Sequence, residues 1–354
     1  MPLPLETFKL PMTASDFMAA ALYRPDCGYY RRAAPPWGFR GKDYYTALDL
    51  GALLGLTIEA RLRRAWLEID RPQVFTVLEP GAGRGWLGRD ILAAAAGDFA
   101  QCIKYIHRDD SPAARREAEA ALAPWLKDGR ASFAAEGDGL PPFEGAVISN
   151  ELFDALPAQP MRWDGGKWER EVLLVPESPD GPPVPAWEPA DPGEAGEWFA
   201  MSAEASALQL GDGSVWVASL PGVLADVCAP MRRGLFLTID YGDTAPRLLA
   251  KGAGLRRYSG HTVDGDWWKD PGDSDLTADV DLTRLAYLLG KMGLRPSPHK
   301  SLGAWICATA PLAEWEAEWQ SLPQEERTAR SRNLMHLTLP TAMGERFKVI
   351  EAQK

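Results

Sequence analysis

Residues 75–88, FTVLEPGAGRGWLG, join a short apolar run to an acidic residue and three alternate glycines, Glu79-x-Gly81-x-Gly83-x-Gly85. The run Phe75–Leu78 is β-branched or aromatic and stops at Pro-Gly, so it reads as a buried strand. The glycines tolerate positive φ and let the backbone lie close to a ligand. From Arg84 to Ala96, Leu87, Ile91, Ala94 and Ala95 share one face, which predicts a helix. A strand, a glycine turn and a helix in that order describe a nucleoside pocket.

Two ligand classes compete for the loop. Gly83-Arg84-Gly85-Trp86-Leu87-Gly88 satisfies the GxGxxG pattern of a dinucleotide site. Such a loop puts its first glycine directly after the strand and aims a helix N-terminus at a pyrophosphate. Here Glu79 and Pro80 intervene, and the carboxylate would face that pyrophosphate with like charge. S-adenosylmethionine fits better, because its sulfonium, ammonium and ribose all suit a nearby carboxylate. That assigns Glu79, Gly81, Ala82, Gly83 and Gly85 to the cofactor. An NAD site and a tight turn with no ligand are the alternatives.

Farther along, strands at Val74–Leu78, Ile103–Ile106, Ala131–Ala134 and Ala146–Ser149 alternate with helical stretches at Arg84–Ala96 and Pro112–Leu126. This alternation predicts an α/β fold with a doubly wound parallel sheet. Residues 161–175 hold two alternating runs around Asp164-Gly165-Gly166, an inserted β-hairpin. Residues 176–196, dense in Pro, Gly, Asp and Glu, read as a surface loop or flap. A helix is expected over Gly222–Met231, a buried strand over Leu235–Ile239, and a capped helix over Asp281–Met292. Leu294–His299 and Ala304–Thr309 read as a terminal antiparallel hairpin, followed by a helical stretch at Pro311–Gln320 and an apolar tail at Phe347–Ile350. The expected divisions are 1–71 as an N-terminal helical lid and 72–160 with 214–310 as the core. Residues 161–213 form the insertion, and 311–354 a C-terminal helical extension and tail.

The strand ends supply the candidate chemistry, since ligands of open α/β sheets bind at the carboxyl edge. After the second strand, Asp109 is favoured for the ribose hydroxyls, whereas Asp110 divides between ribose and helix capping. After the third, Asp138 lies near the expected adenine edge, with a simple turn role as its alternative. The fourth strand runs into Asn150-Glu151-Leu152-Phe153-Asp154-Ala155-Leu156-Pro157, the expected reaction mouth. On a helical turn Glu151 and Asp154 would share a face and clamp a guanidinium or ammonium group; first-turn charge compensation is the alternative. Asn150, Glu151 and Asp154 are the catalytic candidates. Leu152-Phe153 lacks the proline-aromatic pair with which amino-methylating enzymes stack a flipped base, which argues against a base substrate.

A net charge of -11 argues against nucleic-acid and anionic-membrane partners. Cys27, Cys102, Cys228 and Cys307 form no CxxC pair, so a reducing cytoplasmic setting and no zinc ribbon are expected. The histidines have no metal spacing, and HExxH, nucleophile-elbow and Walker patterns are missing. No metal and no membrane insertion are expected. Trp37, Trp267 and Trp268 divide between a substrate groove and packing.

These motifs together resemble the MidA-like (DUF185) family of class I S-adenosylmethionine-dependent methyltransferases. The resemblance rests on Gly28-Tyr29-Tyr30, Gly41-Lys42-Asp43-Tyr44-Tyr45-Thr46, the loop from Glu79 to Gly85, Asn150–Pro157, Asp240-Tyr241-Gly242, Asp275–Asp281 and Met343–Val349. It implies a class I methyltransferase fold and a lid in which Gly41, Asp43 and Thr46 cover the cofactor. It also implies methylation of an arginine in a protein substrate, a respiratory-complex subunit or another arginine-containing protein. A homodimer is compatible with this reading, as is an assembly factor that binds cofactor without catalysis. Leu48-Asp49-Leu50-Gly51, Ala218 and Arg108 depart from the family pattern.

Overall fold

A computed structural model describes residues 8–32, 47–135, 137–176, 181–203, 208–252, 254–260 and 262–354. The chain folds as two compact units. One comprises Tyr45–Leu152, Gly222–Tyr241 and Ala286–Lys354, the other Met1–Tyr44, Phe153–Pro221 and Gly242–Leu285.

The first unit is built on helix α1 (Leu53–Glu68), strand β1 (Phe75–Pro80), α2 (Trp86–Ala94), β2 (Ile103–Arg108) and α3 (Pro112–Ala121). It continues with β3 (Ala131–Ala134), β4 (Phe143–Asn150), β5 (Met231–Asp243), α4 (Leu302–Thr309) and β6 (Phe347–Gln353). The sheet runs β3-β2-β1-β4-β5-β6, parallel except for β6. Every residue of β1 is buried, as expected for a central parallel strand covered on both faces. The doubly wound expectation holds, and the order reverses between β1 and β4. That switch point opens the crevice in which such sheets bind ligands.

The sheet's far edge differs from the expected terminal hairpin. Ala304–Thr309 lies in helix α4, where the Ser301 hydroxyl accepts from the Ala304 N–H at 3.4 Å. Leu302, Trp305, Ile306 and Thr309 are buried at helical spacing. Of Leu294–His299 only Arg295–Pro296 forms a strand, and it pairs with β6. The antiparallel edge is β6 itself, in register with β5 from Leu235↔Gln353 to Tyr241↔Phe347. A short apolar run can follow either period, and here the lane beside β5 goes to the chain's last strand.

The expected divisions change accordingly. Residues 53–68 of the expected lid belong to the sheet's core, because Leu54, Ile58, Leu62 and Ala65 of α1 are buried in the same core as Val77, Leu87 and Ile148. Residues 311–354 likewise join the sheet unit rather than forming an extension. Pro112–Leu126 breaks into α3 and a short helix, Ala123–Lys127, with Pro124 in its first turn.

Gly85 shows why the loop needs glycine. Its φ is 69°, and an added Cβ would lie 3.0 Å from that of Ala118 and 3.2 Å from a Leu122 methyl. Gly85→Ala is therefore expected to cost about 2–4 kcal/mol, left-handed strain and overpacking together. Urea unfolding would read this as a lower midpoint at unchanged slope.

In the second unit the expected hairpin is present as Gln159–Trp163 against Trp168–Leu174. Met12–Thr13, Gly213–Trp216 and Val184–Pro189 complete a five-stranded sheet. The stretch expected to be a loop at 176–196 holds a strand, since Val184–Pro189 pairs with Trp168–Leu174. Gly193–Ser202 then forms a helix that buries Trp198 and Phe199. Proline density conceals this strand because an edge strand needs N–H donors on one side only. Trp267 is a packing residue, 5.2 Å from Phe17 and 5.8 Å from Trp268 between ring centroids. Trp37 lies outside the described residues, as do Gly41, Asp43 and Thr46.

Candidate cofactor and methyl-transfer site

The glycine loop leaves β1 in a conformation that side chains oppose. Gly81, Gly83 and Gly85 have φ of 65°, 51° and 69°. A Cβ on Gly81 would come 2.8 Å from Leu152, whereas one on Gly83 would meet nothing within 4 Å. Gly83 thus presents bare backbone to open space, the surface a close-lying ligand requires.

Around this loop the side chains are tied down. Glu79 is buried at the end of β1 and accepts the Tyr105 hydroxyl at 2.5 Å. Burial pushes its carboxyl up to about 8, against the hydrogen bond from Tyr105 and helped by the nearby charge of Asp109. A carboxyl held neutral for want of a counter-charge suits a cationic ligand, which would ionise it. Tyr105 reaches Glu79 because Gly88 has no side chain; a Cβ there would lie 2.2 Å from the tyrosine ring. The third glycine of the embedded GxGxxG therefore makes room for a ring. On the other side, Arg84 pairs with Asp49 at 2.9 Å and stacks over Trp86 at 3.6 Å. Asp49, one of the positions that departs from the family pattern, thus braces the loop.

At the end of β2, Asp109 accepts from the Gly83 N–H at 2.9 Å through Oδ2 and from the Ser111 N–H at 2.7 Å through Oδ1. It holds the loop against the next helix and keeps lone pairs for further donors. Ser111, not Asp110, caps α3, its hydroxyl accepting from the Ala114 N–H. Asp110 is exposed. Asp138 closes a turn, accepting from the Ala135 N–H at 2.7 Å. The buried Arg108 donates to the Asp138 carbonyl at 2.7 Å and to Asp226 at 2.6 Å, so it shapes the turn after β3. Removing the Asp109 carboxylate by Asp109→Ala leaves the Gly83 N–H without its acceptor. About tenfold weaker S-adenosylmethionine binding is expected by calorimetry, the value of one charge-assisted hydrogen bond.

The carboxyl end of β4 carries the second half of the site. Glu151 has φ 53°, a left-handed conformation for a residue with a side chain, and its N–H donates to the Ile239 carbonyl at 2.9 Å. Such strain costs on the order of 1–3 kcal/mol and persists only where neighbours enforce it. Asn150 donates through Nδ2 to the Glu151 carboxylate at 2.8 Å, and its buried Oδ1 has no partner among the described residues.

The helical turn expected to set Glu151 and Asp154 on one face does not form. The left-handed residue turns the backbone out of a helical path. Asp154 belongs to the second unit, where it is 3% exposed and its carbonyl accepts from the Ala278 N–H at 2.8 Å. Burial raises its pKa well above the usual carboxylate range; Arg256 opposes the rise and Asp279 adds to it. Arg256 donates to Asp279 at 2.6 Å, so the buried Asp154 feels a partly buried ion pair.

Tyr105, His107 and Arg108 are site residues that motif reading passed over. The available signal was the cluster of polar side chains, Tyr105, His107 and Arg108, at the carboxyl end of a strand expected to be buried. Among the described residues no cluster of His, Cys, Asp or Glu could hold a metal ion. None of their helices is long and apolar enough to cross a membrane.

A doubly wound sheet with an acidic-glycine loop at β1 and a polar turn after β4 is the arrangement of a nucleoside-binding protein of the α/β class. Residues 58–298 match the family model described as "Putative S-adenosyl-L-methionine-dependent methyltransferase". The chain belongs to this family of S-adenosylmethionine-dependent methyltransferases. It is 25% identical over 378 residues to the mitochondrial protein arginine methyltransferase NDUFAF7 homolog of Drosophila melanogaster, covering 96% of this chain and 81% of that one. The Danio rerio protein arginine methyltransferase NDUFAF7 is also 25% identical, over 379 residues, with 96% and 82% covered. A crystal structure from Burkholderia thailandensis, bound to S-adenosyl-homocysteine, is similar at 25% identity and a TM-score of 0.84, covering 97% of this chain and 88% of that chain. The cofactor is S-adenosylmethionine, and the open Gly83 backbone and buried Glu79 carboxyl fit it.

Proposed function

We propose that the protein transfers a methyl group to a guanidinium nitrogen of an arginine in a protein substrate. The observation that carries this reading is Glu151, held in a strained conformation at the carboxyl end of β4 with its carboxylate oriented by Asn150. The names of the two NDUFAF7 relatives support arginine as the target. S-adenosylmethionine, when bound, supplies an electrophilic methyl group and leaves as a neutral thioether.

A guanidinium is protonated at neutral pH and is a poor nucleophile. Glu151 holds it, localises its charge and takes a proton as the new bond forms. Asn150 keeps the carboxylate from rotating away. Asp154 preserves the shape of the following segment from its buried position. Rate enhancement comes chiefly from alignment of the two reactants. The cytoplasm is the proposed compartment, in keeping with four cysteines that are all unbonded.

The test is mass spectrometry of a cell lysate treated with the purified protein and isotopically labelled S-adenosylmethionine. Labelled methylarginine in a protein supports the proposal. Label on lysine alone, or none while calorimetry shows cofactor binding, would refute it.

A further inference from the structure

From the geometry we infer that His107 is a positioning residue for the cofactor, setting the carbonyl of Gly83 so that the glycine loop is shaped before S-adenosylmethionine arrives. His107 lies on β2 directly opposite Glu79 in the parallel ladder and is fully buried. Its Nε2 is 2.8 Å from the Gly83 carbonyl oxygen. A carbonyl can only accept, so Nε2 carries the proton and donates it. The Gly83 N–H is held by Asp109 at 2.9 Å. Both polar groups of Gly83, where an added Cβ would meet nothing and neighbouring side chains therefore do not fix the backbone, are gripped from the end of β2.

The second ring nitrogen makes a structural role insufficient. Nδ1 is buried and makes no hydrogen bond to another described residue, while the ring packs edge-on against Phe133 at 5.0 Å. Burial pushes the imidazole's pKa down, which keeps Nδ1 an unprotonated acceptor. A buried acceptor without a donor is unfavourable, and an apolar residue of similar size would avoid it. If the ring served only to fill space, leucine would do so without that penalty. What leucine lacks is the N–H that holds the Gly83 carbonyl.

Two variants of the full chain separate the roles. His107→Leu is expected to keep the ligand-free melting temperature within a few degrees yet bind S-adenosylmethionine and S-adenosylhomocysteine about tenfold more weakly by calorimetry. His107→Gln, which restores an N–H donor, should return both affinities to within about threefold of the parent. Unchanged affinity in His107→Leu would overturn the inference. So would equal weakening in the two variants, because ring shape rather than the donated hydrogen bond would then matter. If His107→Leu proves unstable, His107→Met, which also lacks a donor, takes its place: a tenfold loss that His107→Gln restores supports the role, and equal affinity in the two refutes it.

Discussion

Glu151→Gln is expected to lower methyl transfer by about two orders of magnitude or more, the usual contribution of a positioned general base, while S-adenosylmethionine binding stays within threefold. The glutamine side chain is nearly isosteric and can accept from Asn150, so the local fold should survive. It cannot take a proton or balance a guanidinium charge. The measurement pairs labelled-methyl incorporation into lysate protein with cofactor calorimetry. Activity equal to that of the parent would remove Glu151 from the mechanism, and a matching loss of cofactor affinity would move it to the cofactor site.

Glu79→Gln should act on the opposite half of the site. The lost charge-assisted interaction predicts about 10–100-fold weaker S-adenosylmethionine binding. The pH dependence follows from a carboxyl raised from 4.5 to about 8 in the folded, ligand-free protein. The folded state holds this proton more tightly than the unfolded state. Its stabilising effect is therefore complete below 4.5 and is lost as pH rises through about 8. Ligand-free Glu79→Gln should gain stability relative to the parent between pH 5 and pH 9, read as a converging or crossing pair of urea midpoints. Cofactor binding should also release close to one proton at pH 7 in the parent and less in the variant. Calorimetry in buffers of different ionisation enthalpy measures that release. Equal proton release in the two proteins would show that Glu79 does not face the cationic part of the cofactor.

The glycine loop was legible because a turn that takes left-handed φ at alternate positions needs glycine there. Gly81, Gly83 and Gly85 announce that need in the letters themselves. Glu79 was legible too, as an acidic residue at the end of a buried strand. The side chains that brace this loop were not. Asp49, Tyr105 and His107 act across tertiary contacts, and Asp109, legible as a strand-end carboxylate, gave no sign that it would accept from two backbone N–H groups. The acceptor side was less legible still. Spacing suggested a helical face shared by Glu151 and Asp154, but the left-handed Glu151 breaks that periodicity and the carboxyl of Asp154 is buried near an ion pair.

The sequence by itself determined the alternating α/β pattern, the inserted hairpin, the glycine loop and the polar strand end at residues 150–157. Each follows from local periodicity or from the conformational freedom of single residues. Tertiary structure alone decided that α1 belongs to the sheet's core, that Phe347–Gln353 rather than Ala304–Thr309 forms the antiparallel edge, and that Asp109 closes on Gly83. Those outcomes depend on which distant partner fills a given lane or accepts a given hydrogen bond, a competition that no local window of the chain contains.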